Sequence, residues 1–454
     1  MKALQKELKH SNEPRDSSDV RSISMKTMRG RIPPGPAEQY STSQDLLSWM
    51  GGQFRRFGDI YKASIYGASV YVVRDPGYAQ HVLRENWRNY TKGQAIKRVA
   101  LLLGNGLMTS EGEVWRNQRR MIQPAFHCEA IAALIKIITT SNAALLRRWR
   151  QAARTKTSIN LTRDVSGMVL EVVLTSIFGA DYARVAPHFE ILSKEPARDL
   201  KFAQTFRSLG KIVLELAAQR RKENITSSDI LGMLMRARDQ KSGQVMADHQ
   251  LADEIKTLIV AGHETTASTL NWAWYLLSRH PEVEEKLSCE LERLRDHEIP
   301  KLDDLPKFTY TRQVIDEVLR LYPAGWLVTR RALKNDRLGD YFVPAGTEIY
   351  ISPYFIQRNP GLWEEPERFN PDRFGPGFLQ DRRLPAMLPF SAGPRNCIGE
   401  AFARTEMQLH ILTIARQLRL RFVGAEPPEL DVGVNLRCKH DLIMIPELKV
   451  QAGH

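Results

Sequence analysis

The stretch from Phe390 to Gly399 reads FSAGPRNCIG and delivers a single cysteine, Cys397, to the start of a helical pattern. From Ile398 onward, apolar residues recur at helical spacing between charged ones, which predicts an amphipathic helix. A cysteine at a helix start meets unpaired backbone N–H groups and the positive end of the helix dipole, and both favour the thiolate. Gly393 permits a tight turn before the cysteine, and Gly399 leaves room for close approach of a flat ligand. The stretch therefore predicts a cysteine thiolate that binds a metal.

Two further side chains of this stretch suit a bound metal complex. Phe390 can shield the sulfur, and Arg395 offers a fork of donors to a carboxylate. A lone cysteine at a helix start is more often a small buried residue. Here, however, the spacing Phe-x-x-Gly-x-Arg-x-Cys-x-Gly constrains five positions within ten, and it resembles the haem-binding signature of the cytochrome P450 family, the haem-thiolate monooxygenases. The resemblance implies haem b (iron protoporphyrin IX) as cofactor, with Cys397 as the axial ligand whose thiolate donates electron density to the iron.

The charge balance of the chain points to an acidic partner. Its 454 residues include 65 Lys and Arg against 52 Asp and Glu, a net charge of +13. No basic run interleaved with aromatics, and no zinc-finger or helix-turn-helix pattern, supports nucleic acid as that partner. The resemblance implies instead a separate electron donor, a ferredoxin or flavodoxin with its NAD(P)H reductase, because no flavin or iron–sulfur domain fits beside the catalytic unit.

Length and cysteine usage bound the domain organisation and the compartment. Length alone would suggest two or three domains, whereas the resemblance implies one domain over residues 31–454. Residues 1–30 are polar and charged, with no apolar stretch for a signal peptide or membrane anchor, and we predict that they are disordered. A reducing cytoplasm is the simplest compartment, because the scattered cysteines suggest neither a zinc site nor a disulfide framework. The four cysteines are Cys128, Cys289, Cys397 and Cys438.

Hydrophobic patterns predict a mainly helical fold with a small β region. Alternation over residues 60–73, with a glycine turn, predicts one β-hairpin, and residues 341–351 predict another that turns at Ala345–Gly346. The segment between Thr91 and Met108 is predicted to be rich in loops. The resemblance implies a triangular helical prism, with the haem between a long central helix and the helix that follows the cysteine.

The central helix is predicted over Leu251–Leu277. It contains the sequence AGHETT, in which Ala261 and Thr265 are four apart and share a face, while Gly262 keeps the groove between them open. A buried threonine commonly bonds the carbonyl four residues earlier, and this is the simpler interpretation of Thr265. The resemblance implies instead an acid–alcohol pair, in which Thr265 hydrogen-bonds the reacting oxygen and Glu264 relays protons to it through water. His263 has no role in that motif and is assigned to packing or to solvent.

A Trp-x-x-x-Arg pair, Trp115 and Arg119, occurs on a predicted helix. Residues four apart share a face, so the indole N–H and the guanidinium can reach the same acceptor. The alternative is a basic surface helix with one aromatic anchor. The resemblance implies that both bind haem propionates, as does Arg330 further along the chain.

Glu317 and Arg320 are three apart, a spacing that by itself usually gives a weak exposed ion pair. The resemblance adds a downstream meander arginine and implies a buried triad that stabilises the haem-binding core. The sequence FNPDRF places that arginine at Arg373, whereas PERF leaves Arg368 as the alternative.

The resemblance also implies where a lipophilic substrate binds. Val432–Arg437 is expected to form a last loop over this pocket, and Gly325 and Trp326 stand where many family members have a second proline. The predicted pocket residues are Leu258, Ala261, Gly262, Ala324, Trp326, Leu327 and Val328.

The sequence therefore predicts a monooxygenase that uses O2 and two electrons to hydroxylate or epoxidise a fatty acid, terpenoid, steroid or polyketide. Two other functions are considered, a peroxide-driven peroxygenase and a haem-based gas sensor. Neither requires the intact acid–alcohol pair.

Overall fold

The structure, a computed structural model, describes residues 30–189, 200–292, 300–377 and 384–449, and over 200–207 it describes the backbone alone. The predicted disorder of residues 1–30 thus lies outside the described residues, apart from Gly30. The helices in the described chain are α1 (Leu46–Phe57), α2 (Pro76–Gln80), α3 (Ala95–Leu103), α4 (Gly112–Ile122), α5 (Cys128–Thr155), α6 (Leu161–Phe178), α7 (Tyr182–Val185), α8 (Leu200–Lys222), α9 (Ile230–Arg236), α10 (Asp248–Arg279), α11 (Pro281–Leu291), α12 (Thr309–Leu321), α13 (Pro353–Ile356) and α14 (Glu400–Ala415).

The strands are short and contain fewer residues than the helices, which confirms the prediction of a mainly helical fold with a small β region. They are β1 (Ile60–Ile65), β2 (Ala68–Val73), β3 (Tyr90–Lys92), β4 (Ile159–Asn160), β5 (Val328–Ala332), β6 (Asp336–Leu338), β7 (Tyr341–Val343), β8 (Glu348–Ile351), β9 (Leu418–Phe422), β10 (Leu430–Val432), β11 (Leu436–Cys438) and β12 (Ile443–Leu448).

Helix α10 runs through the core and contains the whole segment predicted as the central helix. It packs along α6 and also contacts α8, α12 and α14. Because neighbours cover several of its faces, most residues from Leu251 to Leu277 are buried, and between Thr257 and the end of this helix Glu264 is the only acidic residue. The helix ends at Arg279, and Pro281 begins α11, as expected where a proline cannot continue the preceding helix.

The largest sheet combines distant parts of the chain. Its five strands lie in the order β1-β2-β8-β5-β3, and the β2–β8 pair is parallel. The predicted hairpin over residues 60–73 is present, because β1 and β2 pair around Tyr66 and Gly67. A smaller sheet joins β4, β12 and β9, while β10 and β11 form a separate hairpin.

Two local predictions were wrong. The segment from Thr91 to Met108 contains strand β3 and helix α3, whose apolar residues pack toward the interior on one side. The segment 341–351 is not a hairpin, since β7 pairs with β6 and β8 joins the five-stranded sheet. Gly346 does turn the chain between them, with φ of +86°. In the second segment, the strands that pair with β7 and β8 both lie outside the local pattern.

Two segments, Cys128–Thr155 and Leu161–His188, are long and apolar enough to cross a membrane by length and composition. About half of each apolar window is buried within the protein, 44% and 56% respectively. Core helices of soluble proteins pass the same test, so these segments are weak indications of a membrane span.

Candidate active site

The cysteine loop is held by its own backbone. The N–H of Cys397 donates to the carbonyl oxygen of Phe390 at 2.9 Å, and the N–H of Asn396 donates to that of Gly393 at 3.0 Å. Helix α14 begins at Glu400, with Gly399 as its N-cap, so the sulfur precedes the first helical residue by three positions. The helix packs against α5 and α12, which fixes the loop on the protein core.

Gly393 is required by close approach as well as by backbone conformation. Its φ is +72°, and a Cβ there would lie 2.0 Å from the carbonyl oxygen of Leu83. A Cβ at Gly399 would instead meet nothing nearer than 3.9 Å, so the protein itself leaves space there. This space adjoins the sulfur of Cys397, which would lie 4.0 Å from a Cβ at Gly399, as the sequence pattern predicted.

The Gly393→Ala substitution is expected to destabilise the protein by roughly 3 kcal/mol or more, because the clash adds to the cost of a left-handed residue. Gly112→Ala is the matched control, since Gly112 has φ of +61° and nothing within 4 Å of an added Cβ. It should cost only about 1–2 kcal/mol. Urea unfolding measures both, and equal losses would contradict the role given to Leu83.

The prediction that the helix start favours a thiolate at Cys397 was wrong for the protein chain alone. Burial raises the pKa of the Cys397 thiol, and the nearby Glu400 carboxylate acts in the same direction. The Gly399 N–H and the Arg119 cation oppose this shift without overcoming it. The dipole is weak at the sulfur because the helix starts only at Glu400. A metal cation would reverse the balance, since a coordinating thiol loses its proton.

A cavity of about 570 Å³ lies between the cysteine loop and α10. The Cys397 side chain is exposed to it, although protein surrounds the residue on its other sides. Volumes of this size are typical of small-molecule sites. The predicted site residues that line it are Cys397, Arg395, Phe390, Gly399, Trp115, Arg119, Arg330, Leu258, Ala261, Gly262, Glu264, Thr265, Ala324, Leu327 and Val328.

Trp326 was predicted in the pocket and does not line the cavity. Its ring packs in the cluster beneath α1 and the first sheet, and its indole N–H donates to the carbonyl oxygen of Gly433 at 3.0 Å. The prediction failed because residues 323–327 form an irregular segment ahead of β5, in which the direction of a side chain follows no regular alternation. Leu327 and Val328, which follow Trp326, both line the cavity.

Trp115 and Arg119 lie on one face of α4, as their spacing predicts. Arg119 donates to Asn396, beside the cysteine, at 2.8 Å to the carbonyl oxygen and 3.1 Å to the side-chain oxygen. Arg395 contacts the Glu111 carboxylate, and its guanidinium carbon lies 4.8 Å from the centroid of the Trp115 ring. These residues form a cationic end of the cavity.

This end of the cavity holds more positive charge than the protein neutralises. Burial, with a contribution from nearby Arg395, lowers the pKa of Lys92 to about 7 and that of Arg330 to about 10. Nε and Nη1 of Arg395 are buried with no hydrogen-bond partner among the described residues. Buried cations short of counter-charge are costly, and two carboxylates would supply it. The residues present therefore fit the propionates of a haem.

Sequence reasoning missed Lys92 and Glu111. Lys92 donates to the carbonyl oxygens of Leu107 and Ser110 at 2.9 and 2.8 Å, and it pairs with Arg330 across β3 and β5. Glu111 accepts from the Lys92 backbone N–H and contacts Arg395. No local pattern could reveal these roles, because Lys92 pairs with Arg330 and Glu111 contacts Arg395, both more than 200 residues further along the chain.

On α10, Ala261 and Thr265 face the cavity together. The Thr265 hydroxyl donates to the carbonyl oxygen of Ala261 at 2.7 Å, which is the simple back-bonded geometry considered from sequence. A Cβ at Gly262 would lie 3.2 Å from the side chain of Val173 on α6, so the two helices approach closely there. The groove thus combines small residues with one hydroxyl.

The two residues before Thr265 have different surroundings. Glu264 lines the cavity and accepts a hydrogen bond of 2.9 Å from Nδ2 of Asn435. His263 is buried, with its Nε2 2.9 Å from the Ser166 hydroxyl, and burial lowers its pKa. Of the two interpretations of His263, packing fits this position and a solvent-facing side chain was wrong.

The Glu317 carboxylate joins both predicted arginines. Arg320 donates to it at 2.6 and 2.8 Å, and Arg373 donates at 3.3 Å. Glu317 and Arg320 are fully buried. Arg368, the alternative third member, instead pairs with the exposed Glu365 at 2.8 Å. The geometry therefore places Arg373 in the triad.

The described residues contain no cluster of three or more His, Cys, Asp or Glu side chains able to hold a metal ion. Cys397 is thus a lone thiol that faces a large cavity, an arrangement that suits a metal supplied within an organic ring.

Comparisons with known proteins agree with this site. The family model described as Cytochrome P450 matches residues 35–194 and 183–443. Among solved structures, "Retinoic acid bound cyanobacterial CYP120A1" superposes with a TM-score of 0.83 at 24% identity, covering 92% of this chain and all of that one. This likeness confirms the predicted fold.

Among curated relatives, cyclooctat-9-en-7-ol 5-monooxygenase of Streptomyces melanosporofaciens is 36% identical over 385 residues, covering 80% of this chain and 83% of that protein. Pentalenene oxygenase of Streptomyces avermitilis is 32% identical over 381 residues, covering 80% and 84%. Both the family model and these relatives span most of the chain. The chain therefore belongs to the cytochrome P450 family and is a haem-thiolate monooxygenase.

Proposed function

We propose that this enzyme hydroxylates or epoxidises a lipophilic small molecule, consuming dioxygen and two electrons. The observation that supports this most directly is that the Cys397 sulfur opens onto the same cavity as the groove at Ala261 and Thr265. Apolar side chains such as Leu103, Leu258 and Val328 form much of the remaining wall. Such a wall favours a substrate with little polar surface.

We propose haem b as the cofactor. When bound, it supplies the iron at which dioxygen is activated. Cys397 would hold the iron, while Arg395, Arg330 and Arg119 would bind the propionates together with Trp115. The excess of buried positive charge at this end of the cavity supports that orientation.

The chain's own residues would control the protons. Thr265 presents a hydroxyl to the cavity, and its hydrogen bond to Ala261 holds it in place until a reacting oxygen competes for it. Glu264 lies at the cavity wall, where a carboxylate can pass protons from water inward. We propose Glu264 and Thr265 as the catalytic pair.

Thr265→Ala is expected to leave haem bound but to lower product formed per electron consumed by roughly tenfold or more, because the hydroxyl is lost from the oxygen site. Thr413→Ala is the matched control, since Thr413 makes the same bond to the carbonyl four residues earlier, on α14 and away from the cavity. Product and reductant consumption are measured together. An unchanged ratio in Thr265→Ala would refute the assigned role.

A terpenoid is our leading substrate class, ahead of a fatty acid, steroid or polyketide. It is supported by the relatives, which include terpenoid-oxidising bacterial enzymes, together with the apolar wall. Purified enzyme is tested with a panel of the four classes for a substrate-induced spin-state shift, followed by product analysis with O2 and reductant. Turnover with hydrogen peroxide alone would indicate a peroxygenase, and a spectral change without turnover a gas sensor.

We propose that a ferredoxin or flavodoxin, reduced by its NAD(P)H reductase, delivers the electrons. We also propose that the enzyme is cytoplasmic and that its residues 31–454 form one domain. The net charge of +13 supports an acidic donor. Arg84 is exposed and lies beside the cysteine loop, where it could contact such a donor. Its Cα is 3.1 Å from the position that a Cβ would take at Gly393.

The rate of haem reduction by such a donor is expected to fall as salt rises, because salt screens attraction between exposed charges. Arg84→Gln should weaken this salt dependence. Arg163→Gln is the control, since exposed Arg163 pairs with Asp441, near β4 and far along the chain from the loop. Stopped-flow reduction measures the rate, and a rate independent of salt would count against charged docking.

A further inference from the structure

The hairpin of β10 and β11 brings a side chain to the acid of the central helix. Nδ2 of Asn435 donates to Oε2 of Glu264 at 2.9 Å. We propose that Asn435 is a positioning residue for proton delivery, which holds the Glu264 carboxylate at the cavity wall and couples its position to bound substrate. This inference rests on the proposed monooxygenation, because it concerns the acid that the reaction uses.

A neutral amide, not an ion pair, makes the short contact. Nη1 of Arg437 lies 3.8 Å from Oε1 of Glu264, beyond hydrogen-bond range, while its Nη2 lies 2.9 Å from Asp431. The charge of Arg437 is therefore shared with Asp431 from the same hairpin. Loss of Asn435 would remove the direct donor and leave the carboxylate free to turn toward Arg437.

The hairpin tip cannot shift without disturbing its neighbours. The Ser268 hydroxyl of α10 donates to the carbonyl oxygen of Leu436 at 2.7 Å, and the Leu436 N–H donates to that of Ala324 at 3.0 Å. The Trp326 indole donates to the carbonyl oxygen of Gly433 at 3.0 Å. Asn435 is thus presented by a tip anchored to α10 on one side and to the cavity-lining segment at Ala324 on the other.

Asn435 is also part of the cavity wall. Val434, Asn435 and Glu264 all line the cavity that Cys397 faces. A substrate too large for the cavity would press on the residue that holds the acid, and displacement of the Asn435 side chain would release the Glu264 carboxylate. This shared position explains how substrate fit could govern proton supply.

The test replaces Asn435 with alanine, which removes the donor, and with aspartate, which keeps the shape but repels the Glu264 carboxylate. Both are expected to lower kcat roughly tenfold and to raise the solvent deuterium isotope effect, with less than twofold change in KM. Crystal structures of the variants should show the Glu264 carboxylate moved from its place beside residue 435. Lys439→Gln is the control, since it breaks an exposed pair with Glu429 on the same hairpin and should change none of these.

A double-mutant cycle separates positioning from direct substrate contact. In a Glu264→Gln background, Asn435→Ala should lower kcat by less than twofold further, because its effect acts through the acid. A full tenfold additional loss, or a change confined to KM, would overturn the proposal. Failure of the proposed function looks different, since the unaltered enzyme would then give no product with O2 and reductant.

Discussion

Replacing Cys397 with serine is expected to abolish the far red-shifted Soret band of the reduced, carbon-monoxide-bound enzyme and to lower turnover by at least roughly a thousandfold. That loss corresponds to about 4 kcal/mol of barrier. The physical reason is that a hydroxyl at this position donates much less electron density to iron than a thiolate does. Absorption spectra and single-turnover product analysis measure the two effects.

The matched control is Cys289→Ser, which changes an exposed cysteine on α11. It should leave both the spectrum and turnover as they are in the unaltered enzyme. A red-shifted band that survives in Cys397→Ser would mean that another group binds the iron. The identification of the reaction centre would then have to be abandoned.

Glu317→Ala is expected to destabilise the protein by about 3–5 kcal/mol, because it leaves the buried Arg320 and Arg373 cations without their shared carboxylate. The variant should also lose haem faster than the unaltered enzyme. Arg320 also donates to the carbonyl oxygens of Gln357 and Pro366 at 2.8 and 2.7 Å, so it connects α12 to the meander before the cysteine loop. Urea unfolding and haem loss to a scavenger protein measure both effects.

The control is Glu365→Ala, which breaks the exposed pair with Arg368 in the same meander. Surface pairs of this kind contribute about 0–1 kcal/mol. If the two substitutions lower the free energy of unfolding equally, the triad would not stabilise the core as its buried geometry indicates. Comparable haem loss in both variants would lead to the same conclusion.

The sequence predicted those features that are encoded within one segment. The cysteine loop, the central helix and the β1–β2 hairpin depend on neighbouring residues, so pattern and turn chemistry were sufficient. The direction of each pocket side chain was less accessible, as Trp326 shows, because this residue lies in an irregular segment where side chains do not alternate regularly. The pKa of Cys397 was mispredicted, since burial by distant elements outweighs the local helix dipole.

Contacts between distant segments explain what remained hidden. Lys92 reaches the cationic end of the cavity because β3 pairs with β5, and the segment 341–351 divides between two sheets because β8 pairs with the distant strand β2. Asn435 lies 171 residues after Glu264 and approaches it only because the β10–β11 hairpin folds against α10. Alternation of apolar and polar residues identifies a strand but not its partner.

The order of the five-stranded sheet has a consequence during synthesis. Both edges of strand β2 can be paired only after β8, about 275 residues later in the chain, has been synthesised. Until then the nascent chain carries an open strand edge that can associate with other chains. We expect ribosome-bound intermediates shorter than about 350 residues to depend on chaperones, and porphyrin insertion to follow release of the finished polypeptide.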